Sequence, residues 1–332
     1  MKCKKILAAV LALTMSCAML AGCSGTETAF PDPEKTITLI VPQAAGGSTD
    51  TQARQLVEAM KEVSGNNNII VENVTGGSTG TGTNQVINSE PDGYTLLMYG
   101  TYVVCGAMTG YTDGHKELDF LDGLSMEPFV LAVNTDSPYQ TFSDLVEAAQ
   151  ANQGQLTLGN AGATATTGIV AYGLNNALET PFNVVSFNGG AELIPAVLGG
   201  HCDAGIFSQS EVLANTDGLR PLVFFGDGHS PLDELADVPN LAEAGYADLS
   251  VPGGCFRGIC APKGLPDDVK TYLADLIEEA YNTDTFQNFL KEQGLLGEFS
   301  KLADFEAYNE EMITEMKPIV QATGLAVGEY AE

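Results

Sequence analysis

Positive charge is scarce in this chain. Its 332 residues hold 14 Lys and Arg against 43 Asp and Glu. Nucleic-acid binding needs clustered cations on phosphates, and this balance excludes it. The same balance excludes lying flat on anionic lipid. Histidine is equally sparse: His115, His201 and His229 are scattered, and no C-x-x-C pair occurs. A metal site of ordinary ligand spacing is therefore not expected. No lysine follows any glycine-rich turn, which excludes the G-x-x-x-x-G-K-[ST] phosphate loop. Beyond the N-terminus no segment approaches the ~20 continuous apolar residues of a membrane span.

What is present starts with a leader. MKCKK is basic, ILAAVLALTMSCAML is apolar, and the stretch ends in LAGC. This reads as a lipoprotein signal peptide over residues 1–22, cleaved before Cys23, whose thiol then carries the lipid, palmitate included. Residues 23–35, polar with Pro31 and Pro33, read as a lipid-anchored linker. Loss of Lys2, Lys4 and Lys5 leaves 11 basic residues against 43 acidic, a balance of −32. Four cysteines remain: Cys105, Cys202, Cys255 and Cys260. They allow three pairings, although Cys255 and Cys260, in one strand about 16 Å apart, cannot pair with each other. Buried free thiols are the expectation.

Apolar runs with strand character fall at 37–42, 69–73, 94–98, 128–133, 155–159, 182–187, 203–207, 220–225 and 255–260. Helical spacing of apolar residues falls between them, as at Ala53, Leu56, Val57, Met60 and Val63, and again at Phe142, Leu145, Val146 and Ala149. The tail is predicted to hold two or three more helices, near 266–281, 284–293 and 303–320. This alternation predicts an α/β fold with mainly parallel sheets.

GGST occurs twice, at 46–49 and 76–79, each time between a strand-type run and a helix-type pattern. Glycine lets the backbone approach a ligand closely. The first N–H groups of the next helix lack intrahelical partners and favour negative charge. GNAGATATTG (159–168) and FNGGAEL (187–193) repeat the arrangement. Four turns just past strand ends fit a crevice at the carboxyl edge of open sheets, shared by two facing lobes. His201-Cys202-Asp203 is contiguous, so its side chains cannot converge as a catalytic triad does.

At this point the sequence resembles a known family. IVPQAAGGSTDTQAR, VENVTGGSTGTGTNQVINSEPDGYTLLM and VVSFNGGAELIPAVLGGHCDAGI are similar to successive signatures of the tripartite tricarboxylate transporter receptors, the Bug-type solute-binding proteins. VPNLAEAGY and APKGLPDDV look like two later segments of the same family. The match runs from about residue 36 to 325.

The resemblance implies a type II periplasmic-binding-protein-like fold: two α/β lobes joined by two crossing strands with a central cleft. Lobe 1 is expected over 36–127 and 253–332, and lobe 2 over 128–252. It implies an extracytoplasmic, membrane-anchored receptor, not an enzyme and without cofactor, expected as a monomer. The ligand would be a small organic acid. The partners would be a large multi-span permease and a small membrane subunit. Carried over position by position, the first turn supplies Gln43, Ala44, Ala45, Gly46, Gly47 and Ser48. The second supplies Gly76, Gly77 and Ser78, and Thr101 follows the third strand. The second lobe supplies Gly162, Ala163, Thr164, Thr166, Phe187, Asn188, Gly189 and Asp203. Gln43, Ala45, Gly168, Phe187 and Asn188 depart from the family's usual residues and remove polar or cationic groups from the expected pocket. A ligand sensor without transport, and a hydrolase using the turns as an oxyanion or phosphate site, are the competing readings.

Overall fold

The computed structural model describes residues 30–179, 182–225 and 228–332. Cys23 and the leader lie outside them. The chain divides into two units, residues 1–35 and 36–332. In the first, the described residues turn back on themselves, with Lys35 N–H donating to the Asp32 carbonyl at 3.0 Å.

The body opens with β1 (Ile37–Val41), α1 (Ser48–Ser64), β2 (Ile69–Asn73), α2 (Gly80–Ile87), β3 (Thr95–Gly100) and α3 (Thr101–Met108). β2 and β3 flank β1 in parallel. α1 forms because Ala53, Leu56, Val57 and Met60 fall on one face, and all four are buried. A second, similar block follows: α4 (Phe142–Ala151), β5 (Thr157–Asn160), α5 (Thr166–Ala177), β6 (Asn183–Ser186), α6 (Gly190–Leu198), β7 (Ala204–Ser208), α7 (Gln209–Leu213) and β8 (Leu219–Phe224). Here β6 and β7 flank β5 in parallel. A capping box starts α4: Thr141 accepts from the Asp144 N–H, and Asp144 accepts from that of Thr141.

β4 (Leu118–Asn134) joins the two blocks. Its first part pairs antiparallel with β9 (Gly254–Pro262) and β10 (Leu296–Lys301), its last part with β7 and β8. Pro128 registers with Gly254, and Phe129 N–H donates to the Gly253 carbonyl at 2.9 Å. Both passages of chain between the blocks therefore lie side by side. α8 (Asp267–Tyr281), α9 (Asp284–Glu292) and α10 (Ala303–Ala322) complete the body. Phe305 of α10 packs edge-on against Phe120 of β4 and Tyr99 of β3, at ring distances of 5.1 and 5.9 Å, and seals the first block.

The sheet runs β2-β1-β3-β9-β4-β7-β5-β6, with β8 and β10 both on β4. It is mixed, which corrects the expectation of mainly parallel sheets: every pairing of β4 and β9 is antiparallel. The strand read at 128–133 is the end of a strand of 17 residues. Its first part was missed because Asp119, Asp122 and Glu127 break the apolar pattern, yet all three are buried. All four remaining cysteines are buried and free, as expected.

Candidate functional site

The parallel strands of both blocks point their carboxyl ends at one another. β1 and β2 lead into the two GGST turns, and β5 and β6 lead into 161–165 and 187–189. The turns meet in opposed pairs. Ala44 N–H donates to the Asn188 carbonyl at 3.0 Å, and Thr164 N–H donates to Ser78 Oγ at 2.7 Å.

The two GGST copies are not conformational copies. The first starts a regular helix, with Gly47 extended at φ −78° as its cap. The second makes a single 3-10 turn in which Ser78 (φ 50°) and Thr79 (φ 78°) are left-handed. That conformation costs roughly 1–2 kcal/mol per non-glycine residue. The strained turn carries the Ser78 hydroxyl that meets Thr164.

A cavity of about 30 Å³ lies where the turns converge, lined by Ser48, Tyr102, Phe129, Thr166, Glu211 and Arg257 among others. A water needs about 10–15 Å³ by this measure, so the space suits a water or two and excludes an organic acid. The turns must part before an acid enters.

Its wall is charged. Arg257 of β9 is 2% exposed and pairs with Glu127 of β4, which is fully buried. The guanidinium also donates to Ser48 Oγ (2.8 Å), Gln52 Oε1 (3.2 Å) and Ser208 Oγ (3.4 Å), while its buried Nε has no partner. Glu127 accepts from the Ser210 hydroxyl and N–H. Glu211 accepts Ser48 N–H at 3.2 Å and Ser208 N–H at 3.1 Å. Burial, then the facing Glu127, push the Glu211 carboxyl up to about 7, against the pull of those amides and of Arg257.

The predicted residues divide as follows. Gln43, Ser48 and Thr166 line the cavity. Ala44, Asn188 and Gly189 meet beside it, and a Cβ on Gly189 would stand 3.1 Å from Ala44 N. Ser78, Gly162 and Thr164 meet in the second pair of turns, Gly162 having Ser78 Oγ as a near neighbour and Ala163 lying between the latter two. Gly76 and Gly77 shape the turn that presents Ser78, with φ of 111° and 55°. Gly46 N–H is taken by Asp50 Oδ2 at 2.8 Å. Burial would raise the Asp50 carboxyl, but Arg54, the Gly46 amide and Asn73 outweigh it and hold it below the usual range. A Cβ on Gly47 would stand 3.5–3.7 Å from Glu211, Ala44 and Ala191, and Ala45 sits in the turn before it. Phe187 packs under the second block, beside the core around Leu193 and Val197.

Two residues lie elsewhere. Thr101 accepts Phe256 N–H and donates to Met312, and it lines a different, larger cavity beside Tyr308 and Met316. Asp203 stands at the amino end of β7 and accepts the N–H and hydroxyl of Thr157, at the far end of the sheet from the turns.

Sequence reasoning missed Glu127, Arg257, Glu211 and Gln52. The available signal was a lone charge inside an apolar strand, as in CFRGICAP and SMEPFVLAV: Arg and Glu are almost never fully buried unless paired. Among the described residues no group of His, Cys, Asp and Glu is placed to hold a metal.

Two α/β halves with opposed turns at their carboxyl edges, bridged by paired antiparallel strands, are the architecture of a type II periplasmic solute receptor. The chain belongs to the tripartite tricarboxylate transporter receptor family, whose model matches residues 52–325. It is thus a receptor and not an enzyme. BugT of Bordetella pertussis is 26% identical over 315 residues, 92% of this chain and 94% of BugT. The solved periplasmic binding protein BugD superposes with a TM-score of 0.80 at 24% identity, over 89% of this chain and 99% of BugD. MatC from Rhodopseudomonas palustris, solved with bound malate, gives 0.77 at 22% identity, over 88% and 100%.

Proposed function

We propose that this receptor is an extracytoplasmic lipoprotein, anchored through Cys23. It captures a small organic acid between lobe 1 (36–127 and 253–332) and lobe 2 (128–252). It then delivers the acid to a multi-span permease with a small membrane subunit, acting as a monomer. The observation that carries the reading is the convergence of opposed turns from both halves on one cavity that also holds a buried guanidinium. An acid entering there meets helix-start amides and Arg257. Backbone donors to a charged group contribute about 1.5–3 kcal/mol each and act at contact, whereas the surface charge of −32 is screened beyond ~8 Å. Malate bound to MatC agrees with the chemistry.

A thermal-shift panel of mono-, di- and tricarboxylates against sugars tests the ligand class. An acid at a hundred times its Kd adds about 2.7 kcal/mol, enough for several degrees. Shifts with sugars alone would overturn the carboxylate reading. Incorporation of labelled palmitate that disappears in Cys23→Ala tests the anchor, and label retained in that variant would refute it.

A further inference from the structure

Glu211 sits where a guest carboxylate would sit. Its Oε1 accepts the Ser48 N–H at the start of α1, and its Oε2 accepts the Ser208 N–H at the end of β7. The Ser208 bond closes the capping box of α7, the helix that carries Glu211, whereas Ser48 belongs to the other half, so this carboxylate ties the two together. Gly190, the first residue of α6, permits the approach: a Cβ there would stand 1.8 Å from Glu211 Oε1. In the same cavity wall the buried Arg257 Nε has no partner.

We propose that Glu211 is a built-in carboxylate surrogate: it latches the two halves together and must leave its seat before a guest carboxylate takes the Ser48 amide and the buried, unpartnered Arg257 Nε. The proposal rests on the cleft being a carboxylate site. Charge balance requires the displacement. Arg257 is already paired with Glu127. With Glu211 ionised in place, a guest would bring a third carboxylate to one guanidinium, in a setting where unpaired charge is costly. A second cavity of about 150 Å³, lined by Gly46, Thr51, Ser210 and Asn215, also borders Glu211 and offers the side chain room.

The titratable groups facing Glu211 are Glu127 from β4 and Arg257 from β9. α1, α6 and α9 present Ser48, Gly190 and Phe289, none of which titrates. A carboxyl raised to about 7 in its seat prefers that seat protonated, so loss of the proton loosens the latch. Acid binding that frees Glu211 from the seat therefore strengthens as pH rises towards about 7, by up to about tenfold per unit, and levels off above it.

The test compares the wild-type chain with Glu211→Gln, which removes the charge, and Gly190→Ala, which evicts the carboxylate while leaving every charge in place. Thermal melts first establish that each variant is folded. Small-angle scattering at pH 6 should give Gly190→Ala a larger radius of gyration than wild type; equal radii overturn the latch. Calorimetric titration with malate from pH 6 to 9 should show the wild-type affinity rising with pH, by up to about tenfold per unit, and levelling above about 7, with a flat profile for Glu211→Gln. A wild-type profile as flat as the variant's overturns the displacement. Malate silent in all three proteins counts against that guest alone, because scattering still decides the latch.

Discussion

Ser78 Oγ accepts the Thr164 N–H at 2.7 Å, joining two glycine-rich turns that lie 86 residues apart. The hydroxyl is delivered by a residue in left-handed backbone, a conformation that surrounding structure must hold. Ser78→Ala keeps the backbone and strips Thr164 of its acceptor. An unsatisfied buried donor costs about 1–3 kcal/mol, and the structure holds these turns together without a guest. Thermal melts should show the unfolding midpoint of the unliganded protein lowered by several degrees. An unchanged midpoint would mean that this bond contributes nothing to the closed arrangement.

The Arg257–Glu127 pair is fully buried, which makes it sensitive to single substitution. Arg257→Met leaves Glu127 without a counter-charge and should destabilise the fold by about 3–5 kcal/mol. Adding Glu127→Met should recover most of that loss, because the desolvation cost of both ions disappears. Urea denaturation of the two variants measures both values. The double variant should nonetheless fail to bind an acid.

Asp122 lies in β4 with both carboxyl oxygens buried and without hydrogen-bond partners. Burial pushes it up to about 8, only partly relieved by Lys301. The folded pKa is raised above the unfolded value, so between about pH 4 and pH 8 the native state holds a proton that the unfolded chain has lost. Stability from this group is present at low pH and is lost as pH rises through that window. Asp122→Asn should therefore gain on wild type with rising pH, by at least about 1 kcal/mol at pH 8, and lose the advantage near pH 4. Chemical denaturation at the two pH values checks the sign.

Cys105, Cys202, Cys255 and Cys260 are all buried, and burial pushes each thiol upward. Thiols rather than thiolates resist alkylation. Mass spectrometry after iodoacetamide should find these four unmodified in the native protein and fully modified in denaturant. Rapid native labelling of any one would contradict its burial.

Much of the fold was legible because its elements obey local rules. The spacing of Leu56, Val57 and Met60 marks α1, and the apolar run ITLIV marks β1. The turns were legible too, since glycines after strands report close backbone approach. β10 was not: LGEFSK has no alternation that survives its charges, and only pairing with β4 makes it a strand. Asp203 was misjudged as a cleft residue because a turn motif does not say at which end of a sheet it lies.

The sequence by itself determined the element types, the four glycine turns and the free thiols, because propensity, periodicity and backbone freedom act over a few residues. Tertiary structure alone decided which turns face each other and what their amides bind. Ser48 and Glu211 are 163 positions apart, and no local pattern encodes that a carboxylate from one half will occupy the helix start of the other. Long-range electrostatics in a dry interior depends on which charges folding brings together.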